Sequence, residues 1–179
     1  MRSLNFDMRR LTIFFTCGLI AVALLSLNAS AQTQTYTSDS VEYTLELPSP
    51  AWRVITEPDS IHQHAEFIYG DRNDGYLRIR KEVVDAGVTA AELARRDQDQ
   101  KLRFQPGYIE GRKENFAGRL SGVTISYEYT SGGKPMAGRI YYLQADNRTI
   151  YTLRFTGLRD KLARIRNQTD LIARSFRIK

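Results

Sequence analysis

The chain has a single cysteine, Cys17, and it lies inside an apolar N-terminal run. The rest of the sequence therefore has no disulfide framework, no cysteine-ligated metal and no thiol nucleophile. Histidine is almost as scarce, with only His62 and His64. The G-x-S-x-G elbow is missing, so a serine-histidine hydrolase finds little support. Ser131-Gly132-Gly133-Lys134-Pro135 lacks the spacing of a phosphate-binding loop and reads as a hairpin turn. Long runs of one charge are also missing. The 26 Lys and Arg are interspersed with 20 Asp and Glu, so the clustered basic footprint of a nucleic-acid binder is absent and no such partner is expected.

The N-terminus has the pattern of an export signal. Arg2, Arg9 and Arg10 precede the apolar stretch Leu11 to Leu27, and Ala29-Ser30-Ala31 supplies a small-residue cleavage site. The pattern predicts a signal peptide over residues 1–31, cut after Ala31, and a periplasmic or secreted location. The competing reading is an uncut anchor, for which the run is slightly short of the roughly 20 residues a spanning helix needs. Phe15-Thr16 before Cys17 do not form a lipobox. Cleavage removes 31 of the 179 residues, three arginines and one aspartate among them, which leaves 148 residues and moves the net charge from +6 to +4. A chain of that size buries about 70% of its unfolded surface, enough for one self-sufficient domain over residues 32–179.

Hydrophobic alternation then marks strands. Thr35 to Thr37 reads as a short edge strand. Val41, Tyr43, Leu45 and Leu47 alternate with Glu42, Thr44 and Glu46, and Pro48 and Pro50 end the run. Trp52, the sole tryptophan, opens the next strand as a core anchor. His64 to Gly70 and Tyr76 to Val84 flank Asp71-Arg72-Asn73-Asp74-Gly75, a pattern that predicts a hairpin with a five-residue turn. Thr89 with Glu92 forms a capping box that starts a surface helix, whose thin apolar stripe is Ala90, Leu93, Ala94, Leu102 and Phe104. Four strands follow with short joins and predict an antiparallel meander. Last comes a helical stripe at Leu158, Leu162, Ile165, Thr169, Ile172 and Phe176, which predicts one amphipathic helix lying on the sheet. Phe176 and Ile178 are then expected to tuck into the core or to add a short strand.

Leu47-Pro48 with Trp52, the strand Tyr151 to Phe155, and Ser175-Phe176 carry a resemblance over nearly all of the expected mature chain. In these features the sequence resembles the PsbP-like superfamily, which includes photosystem II extrinsic proteins and bacterial DcrB-type exported proteins. The resemblance implies an α+β fold: an antiparallel sheet of about six strands flanked by two main helices, an α-β-α sandwich. It also implies a binding or assembly factor without catalysis. The metal-associated sites of the photosynthetic members have no recognisable counterpart here.

Two constellations carry candidate chemistry. His62, His64 and Glu66, spaced by two, share one face of an extended segment and offer zinc or copper three donors. No fourth protein ligand accompanies them, and an exposed loop entering a strand accounts for the same residues. Asp71 to Gly75 fails as a calcium loop, because Gly70 and Arg72 fall where oxygen ligands are required. Tyr76, Arg78 and Arg80 alternate on one strand and Arg139 with Tyr141 on another. If those faces coincide, they make one aromatic and cationic patch for an acidic partner or a glycan. The competing reading is a polar sheet face with charges at its rim. Together these features predict an exported, non-catalytic module that needs no cofactor and binds a protein or a cell-envelope component. The alternative is a hydrolase or metal-dependent enzyme with an unfamiliar site.

Overall fold

The computed structural model describes residues 33–58 and 64–179. The expected signal segment, its cut and His62 lie outside the described residues. Among the described residues, ten strands form two antiparallel sheets. The smaller sheet has the order β1-β2-β10, built from Gln34–Thr37, Tyr43–Leu47 and Arg177–Ile178. The larger has the order β3-β4-β5-β9-β8-β7-β6. Its strands are β3 (Trp52–Thr56), β4 (Ala65–Tyr69), β5 (Asp71–Val83), β6 (Ile109–Ala117), β7 (Ser121–Ser131), β8 (Lys134–Gln144) and β9 (Thr149–Leu158). The expected sheet of about six strands is thus a seven-stranded one. The outer segments pair into a separate sheet because Pro48 and Pro50 stop β2 from running on into β3.

Helix α1 (Ala90–Gln100) lies on one face of the large sheet. It starts with the expected capping box: the Thr89 hydroxyl accepts from the Glu92 amide, and the Glu92 carboxylate accepts from the Thr89 amide at 2.7 Å. Its apolar side buries Ala90, Leu93 and Ala94, with Leu102 just beyond, against Val123, Ile125, Tyr127, Ile140, Tyr142 and Ile150. Phe104 departs from the expected stripe. The helix stops at Gln100, a short 3-10 turn follows over Leu102–Phe104, and Phe104 is left 78% exposed.

The opposite face carries the small sheet together with α2 (Arg159–Arg164) and α3 (Arg166–Ser175). Tyr43, Leu45, Phe67, Leu77, Leu153, Phe155, Ile172 and Phe176 form the main core there. The single terminal helix of the sequence reading is two helices that break at Ile165, whose φ and ψ are −100° and 13°. The periodicity survives the break, since Leu162, Ile165, Thr169, Ile172 and Phe176 are all buried. Leu158 instead ends β9. Phe176 sits between Tyr43 and Tyr151, with ring centroids 4.9 and 5.1 Å away, and the two residues after it pair with Thr44 and Tyr43 of β2.

The β4–β5 hairpin is tighter than expected. The reversal is made at Gly70, with φ +61°, and the Asp71 to Gly75 stretch is extended as the start of β5, with the register shift between Ile68 and Tyr69. Among the described residues no helix is long and apolar enough to cross a membrane.

Candidate functional site

Register decides which side chains meet. Leu77 pairs with Phe155 and Arg78 with Arg154, while Phe155 pairs with Arg139 and Leu153 with Tyr141. Paired residues across a sheet point the same way. Arg139 and Tyr141 therefore share the face of Leu77 and Phe155, beneath α2 and α3. Tyr76, Arg78 and Arg80 alternate with Leu77 and Ile79 and point to the α1 side. The single patch pictured from the sequence is two places on opposite faces.

The first is a groove of about 410 Å³ beside α2 and α3. Its floor is the inner face of β6, β7 and β8 at Ile109 to Arg112, Ser126 to Glu128 and Ala137 to Arg139; its wall holds Arg159, Leu162, Ala163, Arg166 and Thr169. Glycine keeps the floor open. A Cβ on Gly111 would stand 2.6 Å from both the carbonyl and the hydroxyl oxygen of Ser126, whereas one on Gly138 would point to the opposite, α1 face and stand 2.1 Å from the Tyr127 ring. A bulge between Glu110 and Lys113 accompanies Gly111, and the Arg112 amide donates to the Ser126 hydroxyl at 2.9 Å. Strand β6 is the terminal strand of its sheet, so its outer backbone edge is open to another strand.

Arg139 and Tyr141 form a closed network under this groove. The Arg139 guanidinium donates to the Tyr141 hydroxyl at 2.6 Å and pairs with Asp170 at 3.0 Å. The Tyr141 hydroxyl donates to Asp170 and lies 3.2 Å from the Thr169 hydroxyl. Burial, reinforced by the Asp170 carboxylate, pushes the tyrosine pKa well above its ordinary value, so it remains a donor. Tyr141 thus ties β8 to α3. Arg159 pairs with Glu128 at 3.5 Å. Arg112 and Arg166, by contrast, pair with no carboxylate among the described residues. Neither arginine was singled out from the sequence; a glycine inside a strand, Gly111, was the available pointer to the bulge.

On the other face Arg78 is held by Glu66 at 2.8 Å and by the Tyr76 hydroxyl at 2.8 and 3.1 Å, and Arg72 stacks 4.6 Å from the Tyr76 ring centroid. Burial pushes the Glu66 carboxyl up, but hydrogen bonds from Tyr76 and Arg78 and the Arg78 charge outweigh it and hold the pKa below the usual value. Glu66 therefore serves an internal ion-pair network. His64 lies directly before β4, His62 falls outside the described residues, and among the described residues no three His, Cys, Asp or Glu gather closely enough to hold a metal ion. Glu66 and Glu128 cannot act as a hydrolytic pair. They lie on opposite faces, and four strand steps of about 4.8 Å separate β4 from β7, roughly 19 Å against the 6.5–9.5 Å of an inverting pair.

No family model matches the chain, and no curated protein matches it. Solved structures do. LpqN of Mycobacterium tuberculosis, described as involved in cell envelope biogenesis, is 18% identical with a TM-score of 0.54 over 83% of this chain and 92% of its own. The Saccharomyces cerevisiae Ran-binding protein Mog1p is 9% identical with a TM-score of 0.59 over 83% and 96%. Cyanobacterial PsbP from Synechocystis is 14% identical with a TM-score of 0.55 over 86% and 96%. The fold is the PsbP-like α+β fold.

Proposed function

We propose that residues 32–179 are an exported, non-catalytic binding domain of the periplasm or cell envelope, and that its ligand is an extended segment of a partner protein laid along β6 and into the adjoining groove. One observation carries the reading. A largely apolar groove, an open strand edge and two guanidinium groups that have no carboxylate partner among the described residues, Arg112 and Arg166, converge at one place. Strand addition supplies affinity through the backbone, and pockets beside the edge read alternate side chains. The exposed Ile109, 60% accessible, belongs to the same edge, and the arginines favour a segment that carries a carboxylate.

The described structures elsewhere support the class of partner. One neighbour is described as Ran-binding and another as acting in cell envelope biogenesis. The leader-like N-terminus supports export, and N-terminal sequencing of the exported protein is expected to return Gln32 as the first residue. For the groove, a photocrosslinking residue at Ile109 is expected to trap a specific envelope partner in living cells, while one at Arg95, exposed on α1, traps none. The adduct should vanish when Arg112 and Arg166 are both changed to glutamate. Equal capture from both positions, or capture indifferent to the charge reversal, would remove the groove from the proposal.

A further inference from the structure

A second cleft, on the other face of the sheet, has a different chemistry. Arg78 and Arg80 stand two apart on β5, and Arg154 of β9 is directly opposite Arg78. Like charges in directly opposed positions are destabilising, so the fold holds them together against their repulsion. Lys101, at the end of α1, brings a fourth cation to the same cleft of about 150 Å³, against the two acids Glu82 and Asp97.

Those acids do not neutralise the cluster. Asp97 pairs with Lys101 at 2.6 Å and accepts from the Tyr142 hydroxyl at 3.2 Å. Glu66, beyond the cleft, pairs with Arg78. Among the described residues Arg80 and Arg154 have no carboxylate partner, and Glu82 pairs with none of the four cations. Arg154 gives one donor, Nε, to the Tyr127 hydroxyl at 3.0 Å, which leaves the rest of its fork for a ligand. Thr152 lies opposite Arg80, two residues before Arg154 on β9, and lines the same cleft.

We propose that the cleft between α1 and strands β5 and β9 is a binding site for a single tetrahedral oxyanion, a phosphate group, held by Arg80 and Arg154 with Thr152 and Lys101 beside it. Planar guanidinium forks match phosphate oxygens in pairs. A doubly charged anion held by Arg80 and Arg154 offsets the positive charge crowded into the cleft, where the register sets Arg154 opposite Arg78 and Arg80 two residues further along β5. The volume is about half of what a drug-sized ligand needs, so the site takes the phosphate group of a ligand whose remainder stays outside. The site is independent of the groove on the opposite face.

Titration with inorganic phosphate, followed by amide NMR, tests this. Saturable shifts are expected at Arg80, Thr152 and Arg154, and sodium chloride at matched ionic strength should not reproduce them. Arg80→Gln is expected to weaken phosphate binding at least tenfold with the rest of the spectrum unchanged, since Arg80 is exposed and makes no ion pair among the described residues. Arg154→Gln should weaken it similarly. Vesicles of phosphatidylcholine with phosphatidylglycerol separate the sources: Arg80-dependent co-sedimentation identifies a lipid headgroup, and phosphate binding without vesicle binding identifies a soluble phosphate compound. Absence of saturable shifts with phosphate and of vesicle binding would overturn the proposal, as would an Arg80→Gln protein that binds like wild type.

Discussion

Tyr141, beneath the groove, concentrates three polar contacts on one atom. Its hydroxyl takes a bond from Arg139, gives one to Asp170 and lies within reach of Thr169. Tyr141→Phe leaves those three groups to one another, and a net loss of about 1.5–3 kcal/mol is expected in urea unfolding, the range for bonds to charged partners. Glu66 gives a pH signature instead. Its carboxyl is held below its ordinary value of 4.5, so it stabilises the fold fully above that value and loses the contribution as pH falls through the lower folded value. The stability gap between wild type and Glu66→Gln should therefore be open at pH 7 and close below about pH 4.5; a gap that persists in acid would mean that shape, not charge, sets it. The alternating polar side chains of β5 and β8 were legible from the sequence alone. Their opposed facing was not, because parity passes from β5 to β8 only through the register of β9, and no residue pattern encodes that count.

At the scale of elements, local signals were legible where local chemistry decides. The Thr89 and Glu92 box is an example, and Thr89→Ala is expected to cost about 1 kcal/mol in denaturant unfolding, the usual price of a lost N-cap. The four-strand meander was equally readable from its short joins. The break in the terminal helix was not. Leu162, Ile165, Thr169, Ile172 and Phe176 keep helical spacing across it, and neither proline nor glycine marks it. At the break Ile165 makes a tertiary contact with Gly75, where a Cβ would stand 2.7 Å from the isoleucine Cδ1. The groove escaped the sequence for the same reason. Its wall comes from α2 and α3 and its floor from three strands, so no window of the chain contains it. Gly111→Ala tests the floor. The added methyl would stand 2.6 Å from the Ser126 carbonyl and hydroxyl oxygens, and a loss of about 1–3 kcal/mol is expected from overpacking, together with loss of the groove crosslink at Ile109.

For the whole molecule, the last residues close what the first strands begin. Phe176 fills the space between Tyr43 and Tyr151, β10 pairs with β2, and Lys179 bonds through its amide to Glu42 and through its ammonium to Ser38. The small sheet therefore joins segments from the two ends of residues 33–179, and its order β1-β2-β10 exists only once the rest has folded. Two variants separate packing from pairing. Phe176→Ala removes the ring alone and should cost about 3–5 kcal/mol. Truncation after Ser175 removes the ring and the strand together, and should cost more than the point substitution. Amide exchange resolves the difference: truncation is expected to deprotect Tyr43 to Leu47 selectively, while β8 and β9 exchange only through global unfolding. If β2 keeps its protection without β10, then the bond from the Glu46 amide to the Ser175 hydroxyl and the packing of α3 on β2 hold the small sheet, and the terminal strand is merely seated on a structure that is complete without it.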